Sequence, residues 1–233
     1  MSLNENDVIP IRILLASHQP IIRSGLRLLL EREPAFQVVA EAANGGEAIV
    51  LSDYKQPDIA LLDMMLPLVN GIAVATQISS GNHSPRSVFV SVHTDRSYVH
   101  EAFRAGARGY VDGDSAPSDL AQAIRVVARG GAFLSPATCA RLLEAHVVQG
   151  DISEHEKCLW CLIAAGYEDA EIAQLLNTDV QQVRLDANSL GSFFCGNSLP
   201  EVIAQAVFAA LTHNAGLQRE QSSQRCGLGE VLL

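Results

Sequence analysis

The chain has 233 residues, 48% apolar and 18% charged, which excludes wholesale disorder and allows one large domain or two small ones. Its net charge of −10 is uneven: residues 1–150 carry 12 Lys/Arg against 15 Asp/Glu, while 151–215 carry only Lys157 and Arg184 against nine acids, a local balance of −7 that repels polyanions. No apolar run reaches the ~18 residues of a membrane span, the start MSLNENDVIP does not read as a secretory leader, and five cysteines do not read as a secreted disulfide framework, so a soluble, cytoplasmic protein is expected.

Taken in chain order, short runs rich in Ile and Val alternate with helical stretches. Strands are predicted at 11–17, 37–42, 58–63, 87–92 and 107–113. The first helical stretch, IIRSGLRLLLERE, places Ile22, Leu26, Leu29 and Leu30 at three- and four-residue steps, the spacing of one buried helical face. The strands read as continuous apolar runs rather than strict alternation, as expected of parallel strands covered on both faces. Five such units predict an α/β fold with a five-stranded, doubly wound parallel sheet. Ligands of such sheets bind beyond the carboxyl ends of the strands. That rule directs attention to Ser17, His18, Asp63, Ser91 and the stretch Asp112 to Asp114.

The strings IRILLASHQPIIRSGLRLLL, PDIALLDMMLPLVNGIAV, SVHTDRSYVHEAFRAGARGYV and IRVVARGGAFLSP follow one another in order. Together they resemble the receiver domain of a bacterial response regulator of the NarL/FixJ (LuxR-like) type, a CheY-like fold. The resemblance implies a receiver over 1–131, a linker helix within 132–150, an all-α helix-turn-helix domain over 151–213 and a mobile tail over 214–233. It also implies phosphoryl transfer from a histidine kinase to an Asp closing the third strand, which here is Asp63. That chemistry is mostly charge neutralisation and positioning and depends on Mg²⁺.

Several groups that the resemblance calls for are replaced. Receivers place an acidic pair after the first strand to hold Mg²⁺, a hard ion that takes oxygen ligands; this chain has Ser17 and His18. The motif resembling GYLLKD reads GYVDGD, with Gly113 at the Lys position. Asp63, Ser91 and the switch aromatic Tyr110 are retained. A vestigial pocket is the favoured reading. Slow, metal-poor phosphorylation of Asp63 is a lesser one, and a pocket repurposed around His18 and Asp63 for a ligand or a proton is another.

After the linker, ISEHEKCLWCLIAAGYEDAEIAQLLNTDVQQVRLDANSLGSFF resembles the helix-turn-helix output domain of the same family. Leu159, Leu162 and Ile163 give the first helix an apolar face, AEIAQLL forms a second helix, and Gly166 suits the turn between them. Thr178 or Asp179 suits the N-cap of a third helix. Its buried stripe is Val180, Val183, Ala187, Leu190 and Phe194. The opposite face, which would read DNA in the family, presents Gln181, Gln182, Arg184, Leu185 and Ser189, with Asp179 and Asp186 nearby. Gln can read adenine edges, but phosphate contacts need cations and Arg184 stands almost alone. Gly191 weakens that helix by roughly 1 kcal/mol relative to Ala.

The resemblance further implies a dimer contact through the last helix, at Val202, Ile203 and Ala206. His155, Cys158 and Cys161 share one side of a predicted helix, but no partner pair completes a structural zinc site. No metal, cofactor or catalytic set emerges, so an enzyme is not expected. Three functions stay open. One is an atypical regulator that dispenses with Mg²⁺-dependent phosphorylation and acts through protein contacts, as a homodimer or a heterodimer with another regulator, or on a sensor kinase or transcription factor. Another is a phosphorylation-independent DNA-binding transcription factor. The third is a ligand or redox sensor using the altered pocket or the cysteines.

Overall fold

A computed structural model describes residues 9–81, 83–93, 95–144 and 153–194, the last seven as backbone only. The expected dimer contact at Val202, Ile203 and Ala206, and the tail over 214–233, lie outside the described residues, as does the side chain of Ser189. The elements run β1 (Ile11–Ala16), α1 (Pro20–Leu30), β2 (Phe36–Ala42), α2 (Gly45–Lys55), β3 (Ile59–Asp63), α3 (Gly71–Ser79), β4 (Arg86–Ser91), α4 (Arg96–Arg104), β5 (Gly109–Asp112) and α5 (Pro117–Ala128). Then come β6 (Phe133–Leu134), α6 (Pro136–Glu144), α7 (Glu154–Ala164), α8 (Asp169–Leu175) and α9 (Val180–Phe194).

All strand pairs are parallel, in the order β2-β1-β3-β4-β5-β6. The order reverses between β1 and β3, so a crevice opens at their carboxyl ends. The sheet has one strand more than the five expected. Phe133 and Leu134 pair beside Gly109 and Tyr110, a two-residue edge too short for any hydrophobic period to register.

Successive strand residues point to opposite faces and both faces are covered. Leu14, Ala16, Ala60, Leu62, Phe89 and Tyr110 face one core, which includes Val74 and Ile78 of α3 and Val99 and Phe103 of α4. Ile13, Leu15, Ile59, Leu61, Val88 and Val111 face the other, with Leu30 of α1 and Leu120, Ile124 and Val127 of α5. Each fully buried Leu or Ile contributes roughly 1.5–3 kcal/mol relative to exposure. This is why the strands show no polar alternation.

The first core does not stop at the sheet. It runs on through Leu134, Cys139 and Leu142 into Leu159, Trp160 and Ile163 of α7, then Ile172, Val183 and Ala187 of α8 and α9. The turn after α7 also touches α5: Gly166 has φ +68°, and a Cβ there would stand 2.7 Å from Cγ2 of Val126. Glycine fits that turn on both counts.

One predicted face needs correction. Leu30 of α1 is buried and Leu26 and Leu29 are half-buried, but Ile22 remains 47% exposed. A helix that starts at the carboxyl edge of a sheet covers it with its later turns. The early turn is held instead by Arg23, which donates to the Ser17 carbonyl at 2.7 Å and pairs with Glu41 at 3.4 Å. In α9 Val183 and Ala187 are buried as the stripe requires, and the third helix is capped by Asp179, whose Oδ1 accepts from Gln182 N at 2.8 Å. No described helix is long and apolar enough to cross a membrane.

Candidate functional site

The crevice is assembled from strand ends. Ser17 and His18 follow β1, Asp63 closes β3, Ser91 closes β4 and Asp112 closes β5. The loop after β3 is pinned tightly: a Cβ on Gly71 would stand 2.3 Å from the Asp63 carbonyl oxygen, and one on Gly45 would stand 1.9 Å from that of Val69. Asn70 and Asn44 cap the helices that leave this loop and its neighbour, each side chain accepting a backbone N–H from the third residue along. The absence of a Cβ at the two glycines thus lets α2 and α3 begin against the Asp63 loop.

Both carboxylate oxygens of Asp63 are occupied by this chain's own groups. Oδ1 accepts from the backbone N–H of Met65 at 2.9 Å. Oδ2 meets Nδ1 of His18 at 3.1 Å and accepts from the Ser17 hydroxyl at 3.4 Å. The carboxyl ends of β1 and β3 thus bring Ser17, His18 and Asp63 together. One carboxylate joined by a hydroxyl and an imidazole does not fit Mg²⁺, which takes oxygen ligands in near-octahedral geometry. What the arrangement offers is a carboxylate whose charge is answered locally and, when the imidazole is protonated, by an ion pair.

On the far side of the crevice Ser91 is buried and its hydroxyl accepts from His93 N at 3.1 Å. Tyr110 is fully buried and donates its phenol to the His93 carbonyl. Burial pushes its ionisation up to about 12, against an opposing hydrogen bond with Ser91. Gly113 faces Val92, and a Cβ at this position would lie 2.9 Å from Cγ1 of that valine. The space beside the expected Lys position is thus taken by a β-branched aliphatic side chain.

Asp112 occupies a position that sequence reasoning left without a role. Its side chain is buried, its Oδ2 pairs with Arg141 of α6 at 3.2 Å, and its Oδ1 accepts from Asp114 N at 3.1 Å. Its backbone N–H donates to the Ser135 hydroxyl at 3.2 Å. Sequence reading missed Arg141, because nothing in the spacing of α6 marks it. The available signal was an acid in an otherwise apolar strand, since buried charges need partners.

At the other end of the chain, α9 presents Gln181, Gln182, Arg184 and Leu185 outward, opposite Val183 and Ala187. Two of these polar groups already have intramolecular partners. Gln182 Nε2 donates to Asp186 at 2.7 Å, and Arg184 Nε donates to Asp169 of α8 at 2.8 Å. His155 of α7 stands 3.6 Å from Asp186. The three residues His155, Cys158 and Cys161 do not converge: Cys158 is exposed, while Cys161 is half-buried against the core.

Comparison with known proteins places these observations. Residues 13–125 match the response regulator receiver domain model. The uncharacterized transcriptional regulatory protein YxjL of Bacillus subtilis is 35% identical over 57% of this chain, which spans 61% of that relative's length. The nitrate/nitrite response regulator protein NarL of Escherichia coli is 32% identical over 76% of this chain and 85% of its own length. Among solved structures, a LuxR-family two-component response regulator from an Aurantimonas species is 38% identical, with a TM-score of 0.56 over 58% of this chain and 97% of that one. With its parallel sheet, strand-end carboxylate and trailing helix-turn-helix, the chain belongs to the NarL-type response regulators.

Proposed function

We propose that this regulator works without Mg²⁺-dependent phosphorylation of Asp63 and transmits its state through protein contacts. The observation that carries this reading is the contact of His18 Nδ1 with Asp63 Oδ2 at 3.1 Å, at the place where the family gathers its metal with acids. An imidazole there cannot take the role of a carboxylate toward a hard cation, and Gly113 supplies no cation for a phosphoryl oxygen. The −7 balance of residues 151–215 points the output region toward protein rather than nucleic acid. A second copy, another regulator, a sensor kinase or a transcription factor are the partners of this reading, with Val202, Ile203 and Ala206 as the dimer contact.

A DNA-binding reading has one observation in its favour: Gln181, Gln182 and Leu185 lie exposed along one face of α9. Against it, the Arg184 guanidinium is engaged with Asp169.

Incubation of the full chain with acetyl phosphate tests the first reading by intact mass. No Mg²⁺-dependent phosphoryl adduct on Asp63 is expected. The combined replacements Ser17→Asp, His18→Asp and Gly113→Lys are expected to restore one. Rapid Mg²⁺-dependent labelling of the wild-type chain sinks the proposal. Salt-sensitive binding to duplex DNA that weakens in Arg184→Ala moves the output region to the second reading.

A further inference from the structure

Asp112 closes β5 with its side chain only 3% exposed, a place where an ionised carboxylate needs a partner. The partner comes from the helix that leads out of the receiver. Arg141 of α6 brings Nη1 to 3.2 Å from Asp112 Oδ2 while its own side chain stays 54% exposed. The other oxygen, Oδ1, holds Asp114 N in the turn after β5, where the Gly113 N–H donates to the Ser91 carbonyl at 2.9 Å. One carboxylate thus serves both the crevice rim and α6.

Two fastenings of different kind hold α6 to the sheet. At its start the buried hydroxyls of Ser135 and Thr138 hydrogen-bond each other at 2.8 Å. Ser135 also takes the Asp112 N–H and gives its own N–H to the Tyr110 carbonyl at 3.0 Å. That fastening is neutral and buried. The second, Arg141 on Asp112, is charged and open to water on the guanidinium side. Between them α6 carries Cys139, and just beyond Arg141 it carries Leu142, both buried in the core that includes Leu159 and Trp160 of α7.

We propose that the Asp112–Arg141 pair is an ionic latch that governs whether α6 lies on the receiver sheet. Closed, it holds α6, and through α6 the segment α7–α9, against β5 and β6. Open, it lets the later turn of α6 lift, and the output segment stands clear of the sheet to meet a partner. The latch rests on the reading that this regulator acts through protein contacts. Its test involves neither phosphoryl transfer nor partner binding, so the two fail separately.

The pair is asymmetric, and the asymmetry gives the latch a signature. Loss of Arg141 strands a buried charge, whereas loss of Asp112 leaves a guanidinium that water solvates. Apolar side chains at both positions remove the need for a partner altogether. With nine residues, α6 is too short to stay helical by itself, so its lifting exposes its amides and the Cys139 thiol together.

Two rates read the latch in the full chain: alkylation of Cys139 by N-ethylmaleimide, located by peptide mass, and hydrogen exchange of Pro136–Glu144. Arg141→Met, which keeps an aliphatic stem, is expected to speed both roughly a hundredfold, while the amides of Ile59–Asp63 keep wild-type protection. Adding Asp112→Leu to Arg141→Met should bring both rates back toward wild type. Unchanged rates in Arg141→Met, equal loosening of Ile59–Asp63, or no rescue by Asp112→Leu would each overturn the latch. Should Arg141→Met fail to fold, wild-type exchange in graded urea decides the matter. Opening of α6 at lower urea than β3 supports the latch, and simultaneous opening of the two overturns it.

Discussion

Tyr110 shows how one side chain ties the crevice together. Its ring lies fully inside the sheet's first core, stacked beside Phe89 at 6.3 Å between centroids, and its hydroxyl reaches the His93 carbonyl just beyond β4. Its ionisation is raised from 10.0 to about 12 by burial. A raised value in the folded state means that the neutral form stabilises the fold fully below pH 10, and that this contribution drains away as pH climbs from 10 to about 12. The full span is worth about 3 kcal/mol. Tyr110→Phe is expected to cost about 1 kcal/mol near pH 7 through the lost hydrogen bond, yet to flatten the alkaline limb of a denaturant-midpoint series; an unchanged slope would disprove the assignment. At this scale the sequence was legible where a residue closes a strand, as Asp63 and Ser91 do, whereas Tyr110 lies inside β5 and was marked by resemblance. Arg141 was not, because the partner of a buried acid is chosen by tertiary contact rather than by spacing.

Helix ends carry a second layer of information. Ser153 and Glu156 close a reciprocal box at the start of α7, with Glu156 N donating to the Ser153 hydroxyl at 3.2 Å and Ser153 N donating to Glu156 at 2.7 Å. The Ser153 side-chain hydrogen bond, and then its backbone one, hold the Glu156 carboxyl below its ordinary value. A lowered value in the folded state stabilises α7 above pH ~4.5 and loses that support as pH falls through the folded-state value. Ser153→Ala should cost about 1 kcal/mol at neutral pH and make the acid limb shallower, as read by circular dichroism melts between acid and neutral pH. The pattern S-x-x-E was present in SEHE and was a stronger start signal than the apolar spacing used to find this helix. Periodicity marked α1, α7 and α9, yet it passed over β6, where two residues hold no period, and it misjudged Ile22, because period alone does not say where the sheet beneath a helix ends.

Trp160, the chain's one tryptophan, lies fully buried in the same core as Leu62, Phe89 and Leu134. A side chain of α7 thus reports on packing that begins in the sheet. Denaturant unfolding followed by Trp160 emission should coincide with unfolding followed by far-ultraviolet circular dichroism, as a single cooperative transition requires. An early emission change, with most of the ellipticity retained, would show that α7 leaves the sheet's core independently. This shared core was invisible in the sequence, where each helix declares its apolar face but not the surface it meets. The two-part organisation followed from resemblance; the continuity between the parts follows from Leu134, Cys139 and Leu142 lying between them. The Gly166 turn resting on Val126 gives that continuity a genetic consequence. A recombination joint placed between α6 and α7 would seat a foreign helix on Val126, Leu142 and Cys139, and a side chain larger than hydrogen at position 166 would strike α5. Inheritance of the two halves is therefore coupled: substitutions in α5 and α6 constrain which output segments the chain can accept, so exchange should succeed only when the donor brings its own α5–α6 segment along.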